Sequence, residues 1–331
     1  MNIPYKALFI SEQPNGEFQR TILERNTADL PAGSLLVRVK YSSLNYKDAL
    51  SINGHKGITR NFPHQPGIDA VGEVIECHEN RFQPGDKVIV CGYDLGMNTA
   101  GGLGQYIRVP SEWAVPLPNQ LTMEEAMIYG TAGFTAAIAL WQMERNLQHP
   151  DNGPIMVTGA TGGVGSLAVA ILSQAGYEVI ASTGKQATAT EFLKSLGANQ
   201  IVGREAVNLD TDKLLLRSQW AGAIDTVGGN TLHTLLKACQ PYGNVAACGL
   251  VQSPKLDLSV YPFIINGVNL LGVATAENPI EHKKMIWKKL AGEWAIPQLH
   301  AIKRVITLEQ VSETVDQMMA GQSFGRVVVE L

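Results

Sequence analysis

The segment Ile155-Met156-Val157-Thr158-Gly159-Ala160-Thr161-Gly162-Gly163-Val164-Gly165 constrains this chain more than any other. Its glycines follow a largely β-branched run and open an uncharged helical stretch, which predicts a short strand, a tight turn and a buried helix in succession. Gly159 permits the turn. Gly162 and Gly163 remove the Cβ atoms that would hold a ligand off the backbone, and Gly165 lets helix and strand pack closely. The helix N-terminus so formed presents unpaired N–H groups and a positive dipole end, which suits a pyrophosphate. Thr161, Gly162, Gly163 and Val164 are the expected contacts to a dinucleotide. The uncharged stretch from Asn152 to Tyr177 is longer than the ~20 residues that span a bilayer. Its glycines read as a turn instead, and no membrane partner is expected.

A glycine pattern alone is weak evidence; its surroundings strengthen it. From Thr122, where Thr122 and Glu125 have capping-box spacing, strands alternate with helices. The predicted strands are Ile155 to Thr158, Glu178 to Ser182, Ile201 to Val202, Ala223 to Val227, Asn244 to Ala247 and Leu270 to Val273. Helices are predicted over Ser166 to Ala175, Thr190 to Leu196 and Thr231 to Cys239. Such alternation implies a Rossmann-type, doubly wound parallel sheet covered by helices on both faces. Before it, Leu35 to Tyr41, Val71 to Ile75, Lys87 to Cys91 and Tyr106 to Val109 read as short strands between Gly/Pro turns, a mostly antiparallel β unit. In Leu35 to Tyr41 the alternation puts Val37, Val39 and Tyr41 on one face and Leu36, Arg38 and Lys40 on the other. The terminal strand, Arg326 to Leu331, is expected to return to that unit. The class is therefore α/β, with residues 1–121 and 292–331 as a discontinuous β-rich domain and 122–291 as the dinucleotide-binding domain.

The second strand of the alternating series ends Ala181-Ser182-Thr183-Gly184-Lys185, with no acid where a ribose 2′-hydroxyl would be held. Thr183, Gly184 and Lys185, with Arg204 after the third strand, suit a 2′-phosphate instead, so NADPH is expected over NADH.

With 331 residues, 45% of them hydrophobic and 17% charged, the chain can bury two substantial cores. A net charge of −4 supplies no basic field for a nucleic acid, so no such partner is expected. Cys77, Cys91, Cys239 and Cys248 lack metal or disulfide spacing and read as reduced thiols, and no signal peptide is visible; a cytoplasmic location is expected.

Pro66-Gly67-Ile68-Asp69-Ala70-Val71-Gly72, Gly130-Thr131-Ala132-Gly133-Phe134-Thr135-Ala136, the glycine turn and Gly325-Arg326-Val327-Val328 resemble the medium-chain dehydrogenase/reductases of the quinone-oxidoreductase type. Ser43-Leu44-Asn45-Tyr46-Lys47-Asp48-Ala49-Leu50, Arg60-Asn61-Phe62-Pro63 and Ala223-Ile224-Asp225-Thr226-Val227-Gly228 are similar to the acryloyl-CoA reductase branch. The resemblance implies a GroES-like catalytic domain, a substrate cleft between domains and reduction of an activated C=C bond by NADPH. It also implies a homodimer joined through Leu270 to Val273. A zinc-dependent member has Cys in the place of Asn45 and Gly-His-Glu in the place of Gly67-Ile68-Asp69, and the loop Gly92 to Gly104 lacks the cysteines of a structural zinc lobe, so no metal is expected.

By the same resemblance Asn45 and Tyr46 are the catalytic candidates, Asn45 as a donor to the carboxamide or carbonyl and Tyr46 packing on the nicotinamide or bonding near the reacting oxygen. Lys47 and Asp48 are candidates for a local ion pair. Thr131, Leu250, Ile264, Thr275 and Arg326 are the further cofactor contacts. The small-molecule substrate is expected to be a short 2-enoyl-CoA, acryloyl-CoA first. A quinone or enone reductase and a non-catalytic NADPH-binding protein are the alternatives.

Overall fold

The computed structural model describes residues 2–331. By its own contacts the chain forms two units. One holds everything up to Thr131 together with Ala276–Ala291 and Leu299–Leu331; the other holds Ala132–Thr275 and Gly292–Gln298. The change of texture at Thr122 marks the capped start of a helix and no unit limit. There the Glu125 N–H donates to Thr122 Oγ1 at 3.1 Å, and the Thr122 N–H donates to Glu125 Oε2 at 2.8 Å. The helix over 280–290 belongs with the first unit, not with the segment before it.

In chain order the elements are β1 (Pro4–Glu12), β2 (Phe18–Asn26), β3 (Leu35–Leu44), α1 (Tyr46–Ile52), β4 (Asp69–Cys77), β5 (Lys87–Cys91), β6 (Tyr106–Val109), β7 (Ala114–Pro116) and α2 (Met123–Arg145). There follow β8 (Ile155–Val157), α3 (Gly163–Gln174), β9 (Val179–Ser182), α4 (Gln186–Ser195), β10 (Gln200–Val202), β11 (Trp220–Asp225), α5 (Gly229–Lys237), β12 (Cys239–Ala247), α6 (Tyr261–Asn266) and β13 (Asn269–Gly272). The chain ends with α7 (Ile280–Leu290), β14 (Lys303–Thr307), α8 (Val311–Met319) and β15 (Arg326–Glu330).

In the first unit the sheet runs β14-β15-β3-β4-β5-β7, with β6 also on β3. All its pairs are antiparallel except β14 with β15. Val37, Val39, Val74, Val88, Val90 and Ile107 are at most 1% exposed within it. Each such side chain contributes about 1.5–3 kcal/mol on burial. The strand pattern predicted a solvent face for Leu36, yet Leu36 is fully buried. It packs with Tyr5, Phe9 and Tyr106, because the β1–β2 hairpin supplies a second apolar surface.

The second unit holds six parallel strands in the order β10-β9-β8-β11-β12-β13. Counted from β8 this is 3-2-1-4-5-6, the doubly wound arrangement, whose direction of winding reverses between β8 and β11. The stretch long enough to cross a bilayer is β8, the glycine turn and α3, and among the described residues no helix is long and apolar enough to span a membrane.

Candidate active site and dinucleotide corner

In the second unit the glycine turn leaves β8 at the reversal point. Gly159 takes φ +57°, and a Cβ there would sit 2.3 Å from Thr226 Oγ1. At Gly165 a Cβ would meet Gly159 O at 2.2 Å, so the strand–helix approach admits only glycine. Gly162 caps α3 in extended conformation, and the N–H groups of its first turn, from Gly163 to Gly165, have no acceptor within the helix. Thr161 Oγ1 lies 3.3 Å from Thr183 Oγ1, and the Lys185 N–H donates to that Thr183 hydroxyl at 3.1 Å. The ends of β8 and β9 are thereby drawn together.

Arg204 lies over Gly184, where a Cβ would come within 2.5 Å of its Nε. Partial burial, and after it the Arg204 charge, pulls Lys185 below the usual lysine range. Two cations therefore flank one glycine where the sheet would hold a ribose. The nearby acid, Glu205, folds back over Gly203. This corner fits a 2′-phosphate. Leu250 and Ile264 are 62% and 69% exposed and Thr275 is half-buried, so the two apolar residues are surface groups and not core. Leu250 sits against the end of β11, its Cα 3.1 Å from where a Gly228 Cβ would be.

In the first unit the residues after β3 form a buried polar network. Asp69, fully buried at the start of β4, accepts from Ser43 Oγ at 2.6 Å, Asn45 Nδ2 at 2.8 Å, Thr131 Oγ1 at 2.6 Å and the Thr131 N–H at 3.0 Å. Arg326, 2% exposed, donates to Ile128 O, Leu44 O, Asn45 Oδ1 and Ser43 Oγ, and its Nη2 lies 3.9 Å from Asp69 Oδ2. Gly130 breaks α2 with φ +48°. A Cβ there would lie 2.6 Å from Asp69 Oδ2, so the backbone can approach the network only without a side chain. The expected Lys47–Asp48 pair does not form. Asp48 is buried instead and accepts the N–H groups of Ile68 and Asn45 at 2.8 Å each. Burial, and then the charge of Asp69, pushes its carboxyl up to about 7 against the pull of those donors.

Asn45 therefore has both ends of its amide engaged: Nδ2 on Asp69 and Asp48, Oδ1 under Arg326. These bonds hold the loop that carries Tyr46. Tyr46 is the exposed member of the pair, at 45%, and its hydroxyl has no hydrogen-bond partner among the described residues. Thr131 turns its hydroxyl inward to Asp69, and Arg326 is likewise enclosed. Arg60 is exposed. A catalytic zinc does not fit this donor set: the amide is engaged, Ile68 offers no ligand atom, and Asp69 already accepts from three residues. Sequence reasoning passed over Asp69 and Asp48 as functional residues. For Asp69 the available signal was an acid heading an apolar strand, which must be partnered when buried.

The family pattern of the alcohol dehydrogenase GroES-like domain matches residues 31–119, and that of the zinc-binding dehydrogenases matches residues 163–291. The chain is 40% identical over 328 residues to the acrylyl-CoA reductase AcuI of Ruegeria pomeroyi, covering 99% of each chain. Among solved structures, the YhdH oxidoreductase of Salmonella enterica in complex with NADP superposes with a TM-score of 0.95 at 39% identity, over 98% of this chain and 99% of that one. YhfP of Bacillus subtilis with NAD bound gives 0.96 at 40% identity, over 99% and 100%. The chain belongs to the medium-chain dehydrogenase/reductases, in their zinc-independent branch with the acrylyl-CoA reductases.

Proposed function

We propose that this chain is a cytoplasmic, NADPH-dependent reductase of activated C=C bonds whose preferred substrate is a short 2-enoyl-CoA, acryloyl-CoA first. The observation that carries the reading is the Asn45 network: where the zinc-dependent relatives have a Cys stands an amide whose Nδ2 is held by Asp69 and whose Oδ1 is held by Arg326. Held at the corner of Thr183, Gly184, Lys185 and Arg204, NADPH would supply a hydride to the β-carbon and leave as NADP+, and a proton from solvent would reach the α-carbon of the resulting enolate. The chain's part is positional and electrostatic. The first turn of α3 holds the pyrophosphate, while Lys185 and Arg204 hold the 2′-phosphate. Asn45, locked by Asp69 and Arg326, fixes the backbone that carries Tyr46. The Tyr46 ring and hydroxyl remain available to cofactor and substrate, and a hydroxyl donor stabilises charge collecting on a thioester oxygen as an enolate. The identity to acrylyl-CoA reductase AcuI over nearly the whole chain supports the substrate class. A thioester adds remote binding energy from its phosphates and adenosine, which can be used to orient the alkene.

Steady-state NADPH oxidation should favour acryloyl-CoA over a free acrylate ester by at least about 100-fold in kcat/KM, or ~2.7 kcal/mol. Tyr46→Phe should leave NADPH affinity within a few fold. A selective fall in kcat would assign its hydroxyl to the enolate. Preference for 1,4-benzoquinone over every enoyl-CoA would make the chain a quinone reductase, and no turnover with any activated alkene would make it a binding protein.

The proposal includes a homodimer. β13 ends its sheet with one edge unpaired, Leu270 on it is 39% exposed, and Ile264 and Ile265 of α6 are exposed as well. An apolar open edge of this kind invites pairing with a second copy. Sedimentation at micromolar concentration should give a dimer, and Leu270→Lys should give a folded monomer; a monomeric parent protein would refute the arrangement.

A further inference from the structure

The string Asp225-Thr226-Val227-Gly228 ends β11, and nothing in the proposed chemistry uses it. Its contacts run in two directions. Toward β8, Asp225 Oδ1 accepts from Thr158 Oγ1 at 2.7 Å, the Thr226 N–H donates to the same Thr158 hydroxyl at 3.0 Å, and Thr226 Oγ1 donates to Thr158 O at 2.9 Å. Thr158 immediately precedes Gly159, and Thr226 Oγ1 occupies the space a Gly159 Cβ would need. Toward β12, the Cys248 N–H donates to Asp225 O at 2.9 Å and the Gln252 N–H donates to Val227 O at 2.8 Å, while Gly228 bridges to Ser253. A Cβ on Gly249 would lie 2.0 Å from Thr226 O, so this approach is as close as backbone permits. Asp225 is fully buried and also takes the N–H groups of Val227 and Gly228, which closes the turn on its own carboxylate. Four residues thus tie the pyrophosphate turn to the loop that carries Leu250.

We infer that Asp225 and Thr226 are positioning residues which set the separation between the pyrophosphate turn and the Leu250 loop, and so fix where the nicotinamide end of the dinucleotide lies; the inference rests on the dinucleotide reading above. A displacement of about 1 Å at a reacting centre can cost on the order of 100-fold in rate. A brace that fails should therefore show in kcat as well as in cofactor affinity.

Thr226→Val keeps the β-branched shape and removes the hydroxyl. Amide exchange of the unliganded protein should quicken in both 159–163 and 248–253, the two segments between which Thr226 packs. With NADPH and acryloyl-CoA, the NADPH Kd should rise about tenfold and kcat fall about tenfold, with the KM for acryloyl-CoA within about twofold. Thr226→Ser, which restores the donor, should recover both. Ile138→Ala, a cavity variant in α2 of the same unit, serves as the control for lost stability: it should lower Tm and reproduce neither change. The inference fails if Thr226→Val exchanges and turns over like the parent protein, or if Ile138→Ala produces the same pattern. Coupled exchange in a protein that binds no NADPH would uphold the brace and overturn the functional reading instead.

Discussion

Arg326→Ala should destabilise the protein by about 3–5 kcal/mol, the loss typical when one partner of a buried ion pair is removed. That is a large part of the roughly 5–15 kcal/mol that holds a domain folded. The guanidinium is 2% exposed and donates to four separate groups, two of them backbone carbonyls at the ends of β3 and within α2. Removing it leaves those acceptors and the buried Asp69 carboxylate without their cation. Arg326→Lys should not rescue, since an ammonium cannot reach Ile128 O, Leu44 O, Asn45 Oδ1 and Ser43 Oγ from one position. Urea unfolding with an unchanged m-value would measure the loss. A variant within about 1 kcal/mol of the parent would show that the network contributes little to the fold. Under conditions where the variant stays folded, turnover should fall as well, because Asn45 loses the partner of its carbonyl.

The second large effect concerns cofactor choice. Lys185→Ala combined with Arg204→Ala should lower kcat/KM for NADPH by about 100- to 10,000-fold, at ~1.5–3 kcal/mol for each charge-assisted contact to the 2′-phosphate. NADH, which lacks that phosphate, should change by less than about threefold, and each single variant should fall between the parent and the pair. Because both groups are partly open to solvent, the losses should shrink as salt is raised. A parent protein that uses the two cofactors equally would remove the basis of the prediction. YhfP, at 40% identity, was solved with NAD bound, so the measurement discriminates between two chemistries within one fold.

The residues of the proposed dinucleotide corner could be read from the sequence because their signals are local. The glycine turn joins neighbours in the chain, and Thr183, Gly184 and Lys185 follow a strand whose end the alternating pattern marks. Arg204 is read in the same way, from its place after the third strand. The network around Asp69 has no such local signature. Ser43, Asp69, Thr131 and Arg326 are drawn from four separated stretches of chain, and each alone reads as an ordinary polar residue. Only pairing β15 with β3 and β3 with β4 brings them to one place. The same holds for Asn45: hydrogen-bonding capacity identifies a donor, while the partners that engage it come from elsewhere in the chain.

Periodicity, glycine placement and local charge by themselves determined the parallel strand–helix series, the glycine turn and the class of cofactor, since these depend on φ/ψ freedom, side-chain period and charge within short windows. Tertiary structure alone decided that Leu36 is buried under the β1–β2 hairpin, that Asp48 bonds to backbone N–H groups and not to Lys47, and that Arg326 is enclosed rather than exposed. The physical reason is common to all three. Burial and hydrogen-bond satisfaction are properties of what packs against a residue, and those neighbours lie far away along the chain.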